Sequence, residues 1–187
     1  MFKSTTFIAT TVAFCLVGSA RGATIDVGTF NLAADTPGQT LEINVTGGDA
    51  VAGVDFFAEI FNDALAVTPV IADVDLLTGT IFGELGSANQ TNSIAEPTRI
   101  YSIIDATETA NADGLLVTLE VDTTGVSDAS FNLLLAGVAD GAADTQFFDL
   151  AGAGITTNIV NGLIVVAAVP EPALAGLAGL GLLLRRR

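Results

Sequence analysis

The chain has 187 residues, of which 50% are hydrophobic, a composition that predicts one folded domain and excludes a wholly disordered polymer. It has 21 acidic and 6 basic residues, and residues 23–168 carry 20 of the acids against one cation, Arg99, for a formal charge of −19. Nucleic acid is therefore excluded as a partner, because phosphate binding depends on lysine and arginine. Histidine is absent and Lys3 is the sole lysine, which excludes histidine-dependent triads, Schiff-base sites and imidazole metal sites and predicts a protein that is not an enzyme.

The N-terminal residues 1–22 have the pattern of a secretion signal. Lys3 precedes an apolar run over 7–17, and the small residues at 18–20 suit signal peptidase. Cleavage after Ala20 and cleavage after Gly22 both fit. A retained membrane anchor is the alternative, but the run is shorter than the ~20 residues of a usual span. Since Cys15 is the sole cysteine and lies in this apolar run, we expect no internal disulfide in the mature chain.

Residues 23–168 alternate apolar and polar side chains with a period of two, and turn residues close each run, which is typical of antiparallel strands. The predicted strands are 24–30, 39–46, 54–60, 66–74, 79–82, 99–104, 115–121, 130–135 and 162–168. Residues 83–97 are polar and are predicted to form a surface loop. Eight or nine short strands at this spacing predict an all-β domain, an antiparallel β-sandwich.

The aromatic residues argue against a sugar-stacking platform, which usually needs tryptophan or tyrosine. The chain has no tryptophan, one tyrosine, Tyr101, and 11 phenylalanines. Three phenylalanines occupy strand positions that predict core packing: Phe56, Phe82 and Phe131. Others are candidates for exposed contacts, although core or inter-strand packing is favoured for them too: Phe57, Phe61, Phe147 and Phe148.

Clustered carboxylates make calcium the one metal worth weighing, because hard cations prefer oxygen ligands. Two groups are the densest. The first is Asp73 with Asp75, and the second is Asp140 with Asp144 and Asp149. Neither group matches the twelve-residue calcium loop, and solvated strand ends are the favoured interpretation. We therefore expect no cofactor, with calcium binding as the alternative.

A short apolar run and an arginine cluster end the chain. As a helix, residues 173–184 would cover only about 18 Å of a hydrocarbon layer of about 30 Å. The three arginines that follow predict a cytoplasmic stop, because guanidinium groups cross lipid at high cost: Arg185, Arg186 and Arg187. This pattern predicts a short transmembrane helix that tethers the chain transiently to the inner membrane, and an ordinary tail anchor is the alternative.

A Pro-Glu-Pro motif precedes this run, formed by Val169, Pro170, Glu171 and Pro172. The motif, the short Gly/Leu helix and the terminal arginines together resemble the PEP-CTERM sorting signal of bacterial envelope proteins. The resemblance covers residues 169–187. It implies that an exosortase recognises and processes this end, as signal peptidase processes the other.

The domain between the two ends resembles cohesin-like and carbohydrate-binding-like jelly-roll domains. The resemblance rests on four segments: PGQTLEINV at 37–45, VAGVDF at 51–56, GLLVTLEV at 114–121 and GLIVV at 162–166. It implies a binding or scaffold module.

These observations predict three parts: a signal peptide (1–22), a β-sandwich (23–168) and a sorting signal (169–187). We expect an exported, non-enzymatic protein that is tethered briefly and then delivered to the cell surface or outside the cell. There it would serve adhesion or an exopolysaccharide or biofilm matrix. The alternative is a cohesin-like module that docks a specific protein or carbohydrate partner.

Overall fold

The computed structural model describes residues 22–62, 64–96, 98–137 and 144–168, with the side chains of 93–96 excepted. The described residues form thirteen strands and no helix. The strands are β1 (Ala23–Asp26), β2 (Thr29–Ala33), β3 (Gln39–Thr46), β4 (Ala50–Phe61), β5 (Val70–Asp75), β6 (Asn89–Glu96), β7 (Arg99–Asn111), β8 (Gly114–Asp122), β9 (Ala129–Leu134), β10 (Gln146–Phe148), β11 (Gly154–Ile155), β12 (Thr157–Val160) and β13 (Gly162–Ala167).

The strands form two sheets, which confirms the predicted all-β sandwich. Sheet A has the order β12-β1-β3-β8-β5. In sheet B, one edge of β4 pairs with β7, which in turn pairs with β6. The other edge of β4 is shared, because β10 and β11 continue from its first half and β9, β13 and β2 continue from its end. Sheet B is therefore forked along β4.

Two strand pairs are parallel, which differs from the wholly antiparallel prediction. β1 pairs with β12, and β2 pairs with β13, because the first and last described segments run in the same direction. Both segments cross from sheet A to sheet B at the same level, where Leu163 N donates to Gly28 O at 2.9 Å. A Cβ on Gly162 would lie 2.6 Å from that same oxygen, so this crossing requires glycine.

The core lies between the sheets and confirms the predicted inward faces. On β4 the even-numbered residues from Val54 to Ile60 are at most 1% exposed. The phenylalanines predicted to be core are buried, with Phe56 and Phe82 at 0% and Phe131 at 1% exposure. Burial of a side chain of this size stabilises the fold by about 1.5–3 kcal/mol.

The segment between β5 and β6 was predicted wrongly. Residues 79–82, predicted as a strand, form turns, and β6 lies within the predicted loop 83–97. The physical reason is that a partly buried polar side chain of β6 bonds to the backbone of β5. Gln90 Nε2 donates to Val74 O at 2.8 Å, and its Oε1 accepts from Leu76 N at 2.9 Å, so an amide closes the open edge of β5.

The predicted terminal elements lie outside the described residues. These are the signal helix, of which only Gly22 is described, the Pro-Glu-Pro motif, the short apolar helix and the terminal arginines. Within the described ranges, the structure contains no helix of the length and apolarity that crossing a bilayer requires.

Candidate functional site

The outer face of sheet A is polar. On β3 the outward residues are Thr40, Glu42, Asn44 and Thr46, and all four are exposed. The register places Thr40 opposite Glu120 and Glu42 opposite Thr118 on β8. No large apolar side chain stands among these residues, so the centre of this face has the character of an ordinary solvated surface. Exposed apolar side chains occur on its two edge strands, at Val70 on β5 and Val160 on β12.

The outer face of sheet B differs because it carries aromatic and aliphatic side chains. The odd-numbered residues over 55–59 of β4 and 99–103 of β7 point outward, and the register sets Phe57 opposite Tyr101 and Asp55 opposite Ile103. Phe57 is 3% exposed, whereas Tyr101 and Ile103 are half-buried. We call the following set the docking face: Asp55, Phe57, Glu59, Arg99, Tyr101, Ile103, Leu134, Gln146 and Phe148.

An ion pair lies within the docking face. Arg99 donates from Nε at 3.2 Å and from Nη2 at 2.7 Å, both to Oε1 of Glu59. The side chains are 17% and 6% exposed, respectively. Glu59 Oε2 is buried and has no hydrogen-bond partner. Arg99 is the one cation in residues 23–168, and its guanidinium group pairs with the buried carboxylate of Glu59 in this face.

Tyr101 and Asp55 form a second polar contact on the same face. Burial raises the pKa of the Tyr101 phenol, and the negative charge of Asp55 and the hydrogen bond to it raise this pKa further. The neutral phenol is thus favoured.

Thr145 joins the two branches of sheet B beside Phe57. Its Oγ1 accepts from Phe57 N at 3.0 Å and donates to Phe57 O at 3.0 Å. β10 pairs with β4 only as far as Asp55, and β9 begins pairing at Glu59, so this hydroxyl replaces the ladder bonds missing between them. Thr145 is 2% exposed, and it fixes the backbone of the central aromatic residue of the docking face.

A cavity of about 430 Å³ lies at the edge of the docking face. It is lined by Gly53, Ile103, Phe148 and Leu150, among others. Leu150 is 60% exposed at the tip of a tight loop, and Asp149 Oδ1 holds that loop by accepting from two backbone N–H groups at 2.8 and 2.9 Å. The docking face is therefore continued by an exposed apolar side chain on a braced loop.

The described candidate calcium ligands accept hydrogen bonds from backbone N–H groups close to them in sequence. Oδ1 atoms of Asp73, Asp75, Asp144 and Asp149 all accept from nearby backbone N–H groups. For Asp75, burial raises the pKa, but the hydrogen bonds from Thr78 and the backbone outweigh it and lower the pKa. Asp140 lies outside the described residues. In the part of the chain that the structure describes, no three acidic or cysteine side chains are grouped to hold a metal ion, and calcium binding stays a prediction.

The sequence identified some docking-face residues and missed others. Phe57 and Phe148 belong to the face, but Phe147 is a core residue at 0% exposure and Phe61 is half-buried. Ile103 and the ion-paired Glu59 were not singled out. The signal was the outward pattern Asp-x-Phe-x-Glu-x-Phe over 55–61, which mixes aromatic and acidic residues where a solvated face would be uniformly polar.

Comparison with known proteins finds similarity in structure alone. The sequence matches no family model, and no curated protein sequence is similar to it. A non-cellulosomal cohesin from the archaeon Archaeoglobus fulgidus is similar in structure, with a TM-score of 0.58, 17% identity, and coverage of 81% of this chain and 94% of that one. A type I cohesin–dockerin complex from Clostridium thermocellum matches with a TM-score of 0.57 and 10% identity, over 79% and 94% of the two chains. A cohesin module of a family 33 glycoside hydrolase from Clostridium perfringens matches with a TM-score of 0.53 and 14% identity, over 79% and 97%. The chain therefore has a cohesin-like β-sandwich fold.

Proposed function

We propose that this protein is a non-enzymatic docking module that binds a folded partner protein through the docking face of sheet B. The observation that carries the proposal is the contrast between the centres of the two outer faces. The central strand of sheet A, β3, presents threonine, asparagine and glutamate, whereas the central strands of sheet B present Tyr101, Ile103 and Phe148 around the ion pair. Apolar and aromatic side chains on one face of a soluble domain are typical of protein interfaces.

A protein partner fits this face better than a carbohydrate does. The docking face draws residues from β4, β7, β9 and β10, with aromatic residues near its centre, as is typical of the anchors of a protein interface. Sugar binding would favour a fully presented aromatic ring, but Phe57 is 3% exposed and the chain has no tryptophan. A dockerin-like domain is the first class of partner to test, since solved neighbours of this fold are complexes with dockerins.

The proposal is tested by two matched charge insertions. Ile103→Asp places a carboxylate at the centre of the docking face, and Thr118→Asp places one on the outer face of sheet A. A partner isolated with the wild-type chain from the producing cell's secretome is titrated into each variant by calorimetry. We expect Ile103→Asp to weaken binding at least 100-fold and Thr118→Asp to leave it within threefold. A partner that binds both variants equally, or the absence of any stoichiometric partner, would overturn the proposal.

We further propose that the protein is exported and sorted through its C-terminal signal. The supporting observation is the sequence of residues 169–187, with its Pro-Glu-Pro motif, short apolar run and three arginines. Signal peptidase would process the N-terminus and an exosortase the C-terminus, after a transient stay in the inner membrane. The module would then act at the cell surface or in the extracellular matrix, in adhesion or in contact with exopolysaccharide.

Mass spectrometry of the native protein tests the sorting proposal independently of docking. Both ends should be missing from the mature product. A mature chain that retains Arg185, Arg186 and Arg187 contradicts processing, even if the docking face binds its partner.

A further inference from the structure

One end of the sandwich carries an open groove that the docking face does not use. Its larger part has a volume of about 560 Å³ and is lined by Asp35, Val126, Asp128 and Ala168, among others. A smaller cavity of about 200 Å³ adjoins it and is lined by residues that include Leu65, Val67 and Phe131. Residues 125–127 form a wall of both cavities, so the two are continuous.

Two exposed apolar side chains border the smaller cavity of the groove. Leu65 is 41% exposed and Val67 52%, and they are two of the five large hydrophobic side chains found exposed among the described residues. Together with the neighbouring Val126 and Phe131 in the cavity wall they form a patch, and contiguous apolar patches on soluble domains usually contact another segment or partner. A groove of this kind therefore needs an occupant.

The chain itself leads into the groove. Ala168, the last described residue, lines the larger cavity, and its N–H donates to Asp128 Oδ1 at 2.5 Å, which fixes the direction of the chain at this point. Along β13 the even-numbered residues Ile164 and Val166 face the core. If the strand continued with the same alternation, Pro170 and Pro172 would face the groove and Glu171 would face solvent.

We propose that residues 169–172, the Val-Pro-Glu-Pro segment of this chain, occupy the groove. Four extended residues reach about 13 Å, enough to pass from the larger cavity towards Val67. The two prolines bring apolar rings and no N–H groups, so they leave no donor unpaired against an apolar wall. The alternation also keeps Glu171 away from Asp35 and Asp128, whose like charge would oppose its entry.

This arrangement does not depend on the docking face. It would leave Glu171 accessible to a processing enzyme while the prolines hold the segment in place. Removal of the segment would open the Leu65–Val67 side of the groove to another chain.

Cysteine cross-linking in the full-length chain tests the proposal. In a Cys15→Ser background, Val67→Cys is combined with Pro172→Cys or, as the matched control, with Glu171→Cys. A second control pairs Pro172→Cys with Val160→Cys, an exposed position on β12. After mild oxidation in host membranes, non-reducing gels separate internal disulfides from dimers.

The expected result is an internal disulfide between positions 67 and 172 that forms at least tenfold faster than in either control. A free tail would join positions 171 and 172 to Val67→Cys at equal rates, because tethering alone gives both an effective concentration of the order of millimolar. Equal rates would therefore overturn the proposal. So would a disulfide-linked dimer, which would make a second copy the occupant, or the absence of any cross-link at position 67.

Discussion

Replacement of Thr145 by valine tests the account of how the forked sheet holds the docking face. Valine has the same shape as threonine, so no cavity opens, but Phe57 N and Phe57 O each lose a 3.0 Å hydrogen bond. Thr145 is 2% exposed and Phe57 is 3% exposed, so water does not readily replace the hydroxyl. Each unsatisfied buried group costs about 1–3 kcal/mol, so Thr145→Val should destabilise the domain by roughly 2–5 kcal/mol.

Urea unfolding followed by circular dichroism measures this cost. For a domain of this size, 2–5 kcal/mol corresponds to a fall in Tm of roughly 5–15 °C. The matched control is Thr145→Ser, which keeps the hydroxyl and loses one methyl group, at a cost of about 1 kcal/mol. If the valine variant proves as stable as the serine variant, the hydroxyl does not replace the ladder bonds and the reasoning is wrong.

Three further changes have defined outcomes. Gln90→Ala should lower the free energy of unfolding by about 1–3 kcal/mol, as measured by chemical denaturation, because Leu76 N loses its side-chain partner and Val74 O keeps only the 3.4 Å bond from Asn92 Nδ2. Arg99→Met should cost about 3–5 kcal/mol because it leaves a buried carboxylate unpaired, and adding Glu59→Leu should restore most of this; a double variant no more stable than the single one would refute the pairing. Tyr101 is the sole tyrosine and tryptophan is absent, so phenolate absorbance should show a midpoint above the ordinary value of 10.0 that falls with Asp55→Asn. Since the fold raises this pKa, its contribution to stability is present below pH 10 and is lost as the pH rises through the folded-state value; a midpoint unchanged by Asp55→Asn would contradict the assignment.

The sequence predicted those strands whose two faces differ in polarity. β3 and β8 were located because apolar and polar residues alternate along them, and one face of each is buried while the other is wet. The inward face of β4 was found for the same reason. Such strands can be located from their own residues, since the alternation is visible without knowing which strand pairs with them.

Strands whose partner decides their environment were missed. β6 has the polar sequence NQTNS at its start, and it lies in the sheet because Gln90 satisfies backbone groups of β5, a contact 14 to 16 residues away in sequence. The parallel pairing of β2 with β13 joins residues at opposite ends of the domain. The alternation of apolar and polar residues within one strand does not reveal which distant strand pairs with it. The sequence therefore could not predict these two contacts.

The docking face was predictable only in part for a related reason. Phe57 could be recognised as a candidate contact. Its place in the face, however, depends on Tyr101 from β7 and on the hydroxyl of Thr145, which directly precedes β10. Sequence order separates these residues by 44 and 88 positions. Only the register of β4 with its neighbours brings them together.

The charge distribution explains why the docking face, and not the acidity of the domain, is the feature that can confer specificity. A formal charge of −19 over residues 23–168 acts on every cation alike and is screened within about 8 Å at physiological ionic strength. The face of sheet B instead combines one fixed cation, a buried carboxylate and half-buried aromatic rings at set positions. Under the proposed docking function, a partner would have to match that arrangement in shape and supply a donor where Asp55 loses water, because an unpaired carboxylate at an interface is costly. If the docking proposal holds, discrimination between partners would therefore rest on a few residues of β4 and β7, while the remaining acids would repel non-cognate acidic surfaces.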